Sequence, residues 1–389
     1  MNIRKIELSE LQRLAPQITE LLAHSEHNNI FLTPEWLITW WEFWAGNAEL
    51  YVLIAEHDQQ MVGMAPLMRQ KQRFLGVMEI RIISFLNTKV AADHIDFVSH
   101  KDMEILVNQA FFSYLTEHQQ DWDILCLDDL PQLSQTASDA EQFFPRNYQV
   151  SKRAGQLCPY LPLTNETETE NENKNSWDNF LSQKSKNFRQ QTRAKRRKFE
   201  NKLGGQYIQC QSKEQLYSAL SRLAELNPER WNNKGETSSF SNTQFQAFHL
   251  KMAETFLHKG WLDLAYLEVD GSIVAVIYNY IYGNKVFYYN TAFDMDYSRY
   301  SAGRVLMGYS IENAFANGME EFDFLRGVHS YKYEWSELQR ENHDLMVFKK
   351  TLKALLWNTL EDAKLALRQI LKKHLSSELK FKIKSLLER

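Results

Sequence analysis

Two stretches of this chain are written on one plan: LYVLIAEHDQQMVGMAP at 50–66 and LDLAYLEVDGSIVAVIY at 262–278. Each has a β-favouring run, an acidic residue, a polar turn and a second run rich in Val and small residues, which predicts a hairpin. Glu56 and Glu268 hold corresponding places, 212 positions apart (268 − 56). Further on, Met103–His118 matches Val305–Asn317, and Trp122-Asp123-Ile124-Leu125 matches Phe322-Asp323-Phe324-Leu325, at an offset of 200 (323 − 123). A longer loop around 70–100 in the first copy accounts for the difference. A period this long means duplicated domains and not a solenoid. The expected class is α/β (α+β), each copy a mixed twisted sheet flanked by helices.

The 389 residues suit two domains, or three at most. At 44% hydrophobic and 24% charged the chain can build real cores. Cys126, Cys158 and Cys210 are far apart and odd in number, which gives no disulfide framework and no metal spacing, so each is expected as a small core residue. The N-terminus lacks a signal-peptide pattern and no run reaches the ~18 apolar residues of a spanning helix; a cytoplasmic protein is expected. Residues 5–23 read as one helix. Thr33-Pro34-Glu35 reads as the start of another, carrying Trp36, Trp40, Trp41 and Trp44 into the core.

Residues 164–175 are nearly all Thr, Glu and Asn and read as a linker or insert. It separates an N-terminal domain, 1–163, from a C-terminal one, 176–348. Nine bases between Lys184 and Lys202 face only Glu200; the run is either a solvated helix face or a contact for phosphate or an anionic surface. Residues 349–389 hold eleven Lys or Arg against four acids and have helical leucine spacing. This tail is either a helix packed on the second domain or one lying on an anionic membrane.

The copies differ before their long helix. The first reads Val98-Ser99-His100-Lys101-Asp102-Met103, without glycine; the second reads Arg299-Tyr300-Ser301-Ala302-Gly303-Arg304. Bare N–H groups at a helix start suit a phosphate. If one copy holds a pyrophosphate, it is the second.

The order Arg230-Trp231, Gly235, Phe240, Phe245, Gly260, Asp270-Gly271, Ala275, Tyr288 to Asp294, Ser301 to Leu306, Gly318, Asp323-Phe324-Leu325-Arg326-Gly327, Tyr331-Lys332 and Trp335 resembles the BioF-like, CelD-type acetyltransferase domain. That domain belongs to the GNAT superfamily and is related to the FemABX peptidyltransferases, themselves tandem GNAT folds. The resemblance covers Leu181 to Trp335; Pro34-Glu35-Trp36 and Asp93 to Asp96 extend it weakly into the first half. Of the GNAT phosphate motif, Arg299 stands at the start, while Ala302 replaces the first glycine and Arg304 the final small residue.

The resemblance implies two tandem GNAT-like domains and an acyl-CoA co-substrate, acetyl-CoA above all, with no metal. Thr291, Ala292 and Phe293 would line the pantetheine, and Arg299, Ser301, Ala302, Gly303, Arg304 and Val305 the pyrophosphate; the alternative is an ordinary turn in which Gly303 only packs. Asp323, inside an apolar strand, is either functional or ion-paired with Arg326. Lys332 matches a lysine that lies near the reacting carbonyl in FemX-like enzymes and would stabilise an oxyanion or hold a phosphate. His329 is a candidate base or simply exposed. Tyr289 is a candidate acid for the leaving thiolate or a packing residue. Arg326, Tyr331, Arg230 and Trp231 are candidate acceptor contacts, as are His94 and Asp96 of the first copy. The acceptor would be an amine or hydroxyl of a sugar, nucleotide-sugar or glycolipid, with no specific nucleic acid. Two alternatives stay open: aminoacyl transfer from charged tRNA, and a non-catalytic scaffold in envelope-polymer synthesis.

Overall fold

The computed structural model describes residues 1–389 apart from 75, 77, 87–89, 91, 145, 165–175, 233–237 and 375–389. The side chains of 229–232, 365 and 368–374 also lie outside the described residues. The expected linker therefore lies outside them except for Thr164, as does the end of the basic tail. The described chain forms two compact units: one of residues 1–158 with 339–374, and one of residues 159–338.

The first unit opens with β1 (Asn2–Lys5), α1 (Leu8–Arg13), α2 (Ala15–Ala23) and α3 (Pro34–Trp44). The single helix expected over 5–23 is instead the end of a strand and two short helices. Pro16, which has no N–H to give a preceding turn, sits in the first turn of α2. Thr33 caps α3 by accepting the Trp36 N–H, and Trp36 and Trp40 are fully buried, while Trp41 and Trp44 are only partly so. The strands β2 (Glu49–Leu50), β3 (Leu53–His57), β4 (Gln60–Ala65), β5 (Leu67–Phe74), β6 (Met78–Phe85) and β7 (Val98–Ser99) follow. Then come α4 (Glu104–Glu117), β8 (Ile124–Leu130), α5 (Gln135–Phe143) and β9 (Tyr148–Pro162), which runs on into the second unit.

The second unit contains α6 (Trp177–Gln183), α7 (Lys186–Leu203), β10 (Gln206–Gln209), α8 (Lys213–Asn232) and α9 (Thr243–Lys259). After them come β11 (Leu262–Val269), β12 (Ser272–Tyr282), β13 (Lys285–Phe293), α10 (Ala302–Ala316), β14 (Glu321–Asp323) and the single turn α11 (Ser330–Tyr333). The chain then gives β15 (Gln339–Lys349) and α12 (Leu352–His374) to the first unit.

The duplication is visible in the ladders. The orders β1-β3-β4-β7 and β10-β11-β12-β13 correspond. Both hairpins bulge at the matching glutamate, between Ala55 and Glu56 and between Leu267 and Glu268. Both turns hold two residues at positive φ, Asp58 and Gln59 in one, Asp270 and Gly271 in the other, as a two-residue hairpin turn requires. The extra residues of the first copy include the β5–β6 hairpin, which pairs from Leu67↔Phe85 to Phe74↔Met78.

The sequence boundary at 348 does not coincide with the observed one. β15 pairs antiparallel with β8, from His343↔Leu130 to Phe348↔Ile124, while the end of β9 pairs with β14 in the second unit. The tail helix, expected on the second domain, packs on the first: Ala354 and Trp357 of α12 join Ile80, Ile82, Ile124, Met346 and Phe348. Lys353 anchors it by donating to Asp123 at 2.7 Å.

The second unit's core lies between its sheet and α6, α7 and α10, around Leu267, Val286, Leu306, Phe322 and Phe324. Each buried Leu, Val or Phe contributes roughly 1.5–3 kcal/mol.

Candidate active site

β13 and β14 are parallel neighbours for only three residues, Lys285↔Glu321 to Phe287↔Asp323. β14 ends there, at Asp323, and β13 runs on to Phe293 beside β12 alone, which is where the two strands part. Beyond the parting lies a cavity of about 310 Å³ lined by Lys195 of α7, Tyr288, Thr291 and Phe293 of β13, Ser298, Ser301, Gly303, Arg304 and Met307 around the start of α10, and Tyr331, Glu334 and Trp335. Every lining residue belongs to the second unit.

A bulge sets which side chains of β13 face this cavity. Tyr278 pairs with Asn290 and Asn279 with Tyr288, which leaves Tyr289 as the extra residue. Tyr288, Thr291 and Phe293 reach the cavity, whereas Tyr289 and Asn290 contact helix residues elsewhere: Tyr289 Oη meets His249 Nε2 at 3.1 Å, and Asn290 accepts from Asn227 at 2.7 Å. His249 is buried among aromatic rings, with Tyr280 Oη 3.3 Å from its Nδ1; burial lowers its pKa to about 3.

The start of α10 is open. Ser301 adopts the left-handed conformation (φ 58°) and its hydroxyl caps no N–H of the helix. The Arg304 and Val305 N–H groups already bond the Ser301 carbonyl, so the donors left at this terminus are those of Ala302 and Gly303. Gly303 is required by contact: a Cβ there would stand 2.9 Å from the Phe293 ring.

Arg304 points along the cavity wall. It donates to Thr192 Oγ1 at 3.3 Å and pairs with Glu334, and its guanidinium carbon lies 4.6 Å from the Phe188 ring centre and 5.6 Å from that of Trp335. Lys195 has its pKa lowered, first by burial and then by the charge of Arg304, with Glu334 acting against both. Tyr288 and Tyr331 bring their hydroxyls within 3.1 Å of each other.

The structure sorts the sequence candidates. Thr291, Phe293, Ser301, Gly303, Arg304 and Tyr331 line the cavity; Ala292, Arg299, Ala302 and Val305 do not. Ala292, Ala302 and Val305 face the core, and Arg299 lies over the ring of Tyr300. Tyr289 faces His249 instead. Lys332 is buried, and its ammonium donates to the Phe324, Leu325 and Arg326 carbonyls at 2.7, 3.1 and 2.7 Å. Its three protons thus brace a turn in which Leu325 and Gly327 both have positive φ. Asp323 accepts the Leu325 N–H of the same turn at 2.8 Å. His329 is exposed and stacks on Tyr331, and Arg326 is half-buried and outside the lining.

His94 and Asp96 belong to the first unit. His94 Nδ1 meets Asn342 Oδ1 at 2.8 Å; Asp96 is buried, 3.4 Å from His27 Nε2, and accepts from Thr136. Arg230 and Trp231 are placed in α8 by backbone only. Sequence reasoning missed Lys195, Tyr288, Ser298, Met307, Glu334 and Trp335 as lining residues. For Lys195 there was a signal: it shares a helical face with Phe188, Thr192 and Phe199 at spacings of four, three and four. Among the described residues no group of three or more His, Cys, Asp or Glu is placed to hold a metal, and no helix is long and apolar enough to cross a membrane.

Parted parallel strands, an uncapped helix start and two cations fit a phosphorylated donor with a slender arm. Residues 186–333 match the family described as Acetyltransferase (GNAT) domain. No curated protein matches the chain by sequence. Among solved structures the chain is similar to FemX (12% identity, 89% of this chain and 97% of that one, TM-score 0.60). It is also similar to a conserved protein of unknown function from Bacteroides thetaiotaomicron (13%, 90% and 100%, 0.56) and to the C-terminal domain of a putative lysylphosphatidylglycerol synthetase from Agrobacterium fabrum (12%, 92% and 96%, 0.53). At these identities the likeness is one of fold. Residues 186–333 carry an acetyltransferase (GNAT) domain, which makes the chain a transferase, and over most of its length the chain shares the fold of FemX.

Proposed function

We propose that the chain moves an acyl group, acetyl above all, from acyl-CoA to an amine or hydroxyl of a sugar, nucleotide-sugar or glycolipid. The observation that carries the donor is the parting of β13 from β14 onto a cavity bounded by Gly303 and Arg304. Thr291 and Phe293 would hold the pantetheine arm, and the Gly303 N–H group with Lys195 and Arg304 the pyrophosphate.

In the transfer, the acceptor's nitrogen or oxygen bonds to the acyl carbon, the carbon–sulfur bond breaks, and the acceptor loses a proton while sulfur gains one. Tyr288 and Tyr331 are hydrogen-bonded to one another at the cavity wall, and this pair is suited to supply a proton to the sulfur. Trp335 and Met307 make part of that wall apolar. Lys332 and Asp323 position Tyr331 by fixing the turn before α11.

A second reading is aminoacyl transfer from charged tRNA, as the FemABX resemblance implies. The basic helix α7 favours it, since Lys195 of that helix reaches the cavity. The two are separated by offering the purified protein acetyl-CoA and aminoacyl-tRNA in turn. Acyl transfer from the first alone supports our reading; transfer from the second alone replaces it.

Peripheral contact with an anionic membrane belongs to the same proposal. Leu352, Leu355, Leu356 and Leu367 of α12 are exposed, while Trp357 of the same helix is buried. Co-sedimentation with anionic but not neutral vesicles is the expected result; sedimentation with neither removes this contact.

A further inference from the structure

We propose that Glu334 is an internal competitor for the donor's phosphates: it closes the anion subsite of Arg304 and Lys195 and is displaced when the donor binds. The inference rests on the acyl-CoA reading for the name of the ligand, but its geometry stands by itself.

Of the two partners in the Arg304–Glu334 pair, the arginine is the fixed one. Its side chain is 15% exposed, against 46% for the glutamate. It is held by Thr192 Oγ1 and lies over the rings of Phe188 and Trp335. Glu334 follows the single turn of α11, with ordinary right-handed backbone angles (φ −66°, ψ −30°). Its carboxylate can therefore swing outward by side-chain rotation alone.

Arg304 is also incompletely satisfied with Glu334 in place. Its buried Nε–H finds no acceptor among the described residues. A guanidinium has five donors and suits a doubly accepting phosphate better than one glutamate. Lys195 lines the same cavity from α7. With the glutamate inward, the wall carries two cations and one carboxylate; with it outward, both cations face the cavity. A pyrophosphate diester brings two negative charges to that wall. A donor without phosphates gains nothing from the exchange. The position thus tells phosphorylated from unphosphorylated thioesters, and it keeps the cations paired while the donor is away.

The test is calorimetric titration of inorganic pyrophosphate, CoA and pantetheine into the parent and Glu334→Gln, with the melting temperature of each recorded. Loss of one exposed ion-pair partner should tighten pyrophosphate and CoA by about three- to tenfold, and leave pantetheine unchanged. An unchanged or weakened pyrophosphate affinity in the folded variant overturns the proposal. Tighter pyrophosphate with no CoA binding by either protein keeps the competitor and removes the acyl-CoA reading. CoA binding that ignores the substitution keeps that reading and removes the competitor.

Discussion

Tyr288 and Tyr331 stand with their hydroxyl oxygens 3.1 Å apart, one on the strand that parts from its neighbour and the other on the turn beyond. The pair joins the two walls of the cavity. If it supplies the proton taken up by the leaving thiolate, Tyr331→Phe should lower kcat by about a hundredfold and leave the dissociation constant for acetyl-CoA nearly unchanged. Thiol release followed with a chromogenic disulfide measures the first, and calorimetry the second. An unchanged kcat would remove the pair from the chemistry.

His249 makes a prediction about acid. Burial holds its folded-state pKa near 3, below the ordinary 6.5. As pH falls, the unfolded chain takes up this proton before the folded chain does. The stability linked to His249 is therefore whole above about pH 6.5 and declines by about 1.4 kcal/mol per pH unit down to about pH 3. Denaturation midpoints between pH 7 and 4 should show this slope for the second unit, and His249→Phe should flatten it.

Asp123 makes a prediction about the first unit. It accepts the Arg81 N–H at 2.9 Å, two Arg81 guanidinium bonds at 3.2 and 3.1 Å, and Lys353 at 2.7 Å. Burial alone would raise its pKa, but these bonds outweigh it and the net shift is downward. Its contribution is present above the ordinary carboxylate range and is lost as pH falls through the lowered value. At neutral pH, Asp123→Ala should cost about 2–4 kcal/mol and release α12, read as faster amide exchange across 352–364.

Lys332 makes a prediction about its own role. Because its ammonium serves three carbonyls, Lys332→Ala should destabilise the second unit by about 2–3 kcal/mol as well as slow turnover. A catalytic lysine would lose turnover at unchanged stability. Melting temperature and kcat measured together distinguish the two.

The hairpins were legible because Asp270-Gly271 and the Val-rich runs state their turn and strands locally. The helix start at 301–304 was legible for the same reason. What alternation could not show is the bulge at Tyr289. A regular strand puts 288, 290 and 292 on one face, whereas the register shift puts 288, 291 and 293 there, so the tyrosine chosen as an acid was one residue away from the one that faces the cavity. Lys332 drew its catalytic reading from the resemblance to FemX-like enzymes, and a loop lysine after an apolar strand gives no sign that three carbonyls will converge on it. The return of β15 to the first unit depends on pairing between residues more than 200 positions apart, such as Leu345 with Leu127, and no local pattern encodes that choice.

Acetyl-CoA binding tests the central claim most directly. Calorimetry on the parent protein should show one site, and Gly303→Glu should abolish it, because a side chain at 303 meets Phe293 within 3 Å and its carboxylate would sit where the pyrophosphate belongs. A folded parent protein that takes up no acetyl-CoA, or a folded Gly303→Glu variant that binds it as the parent does, would contradict the account.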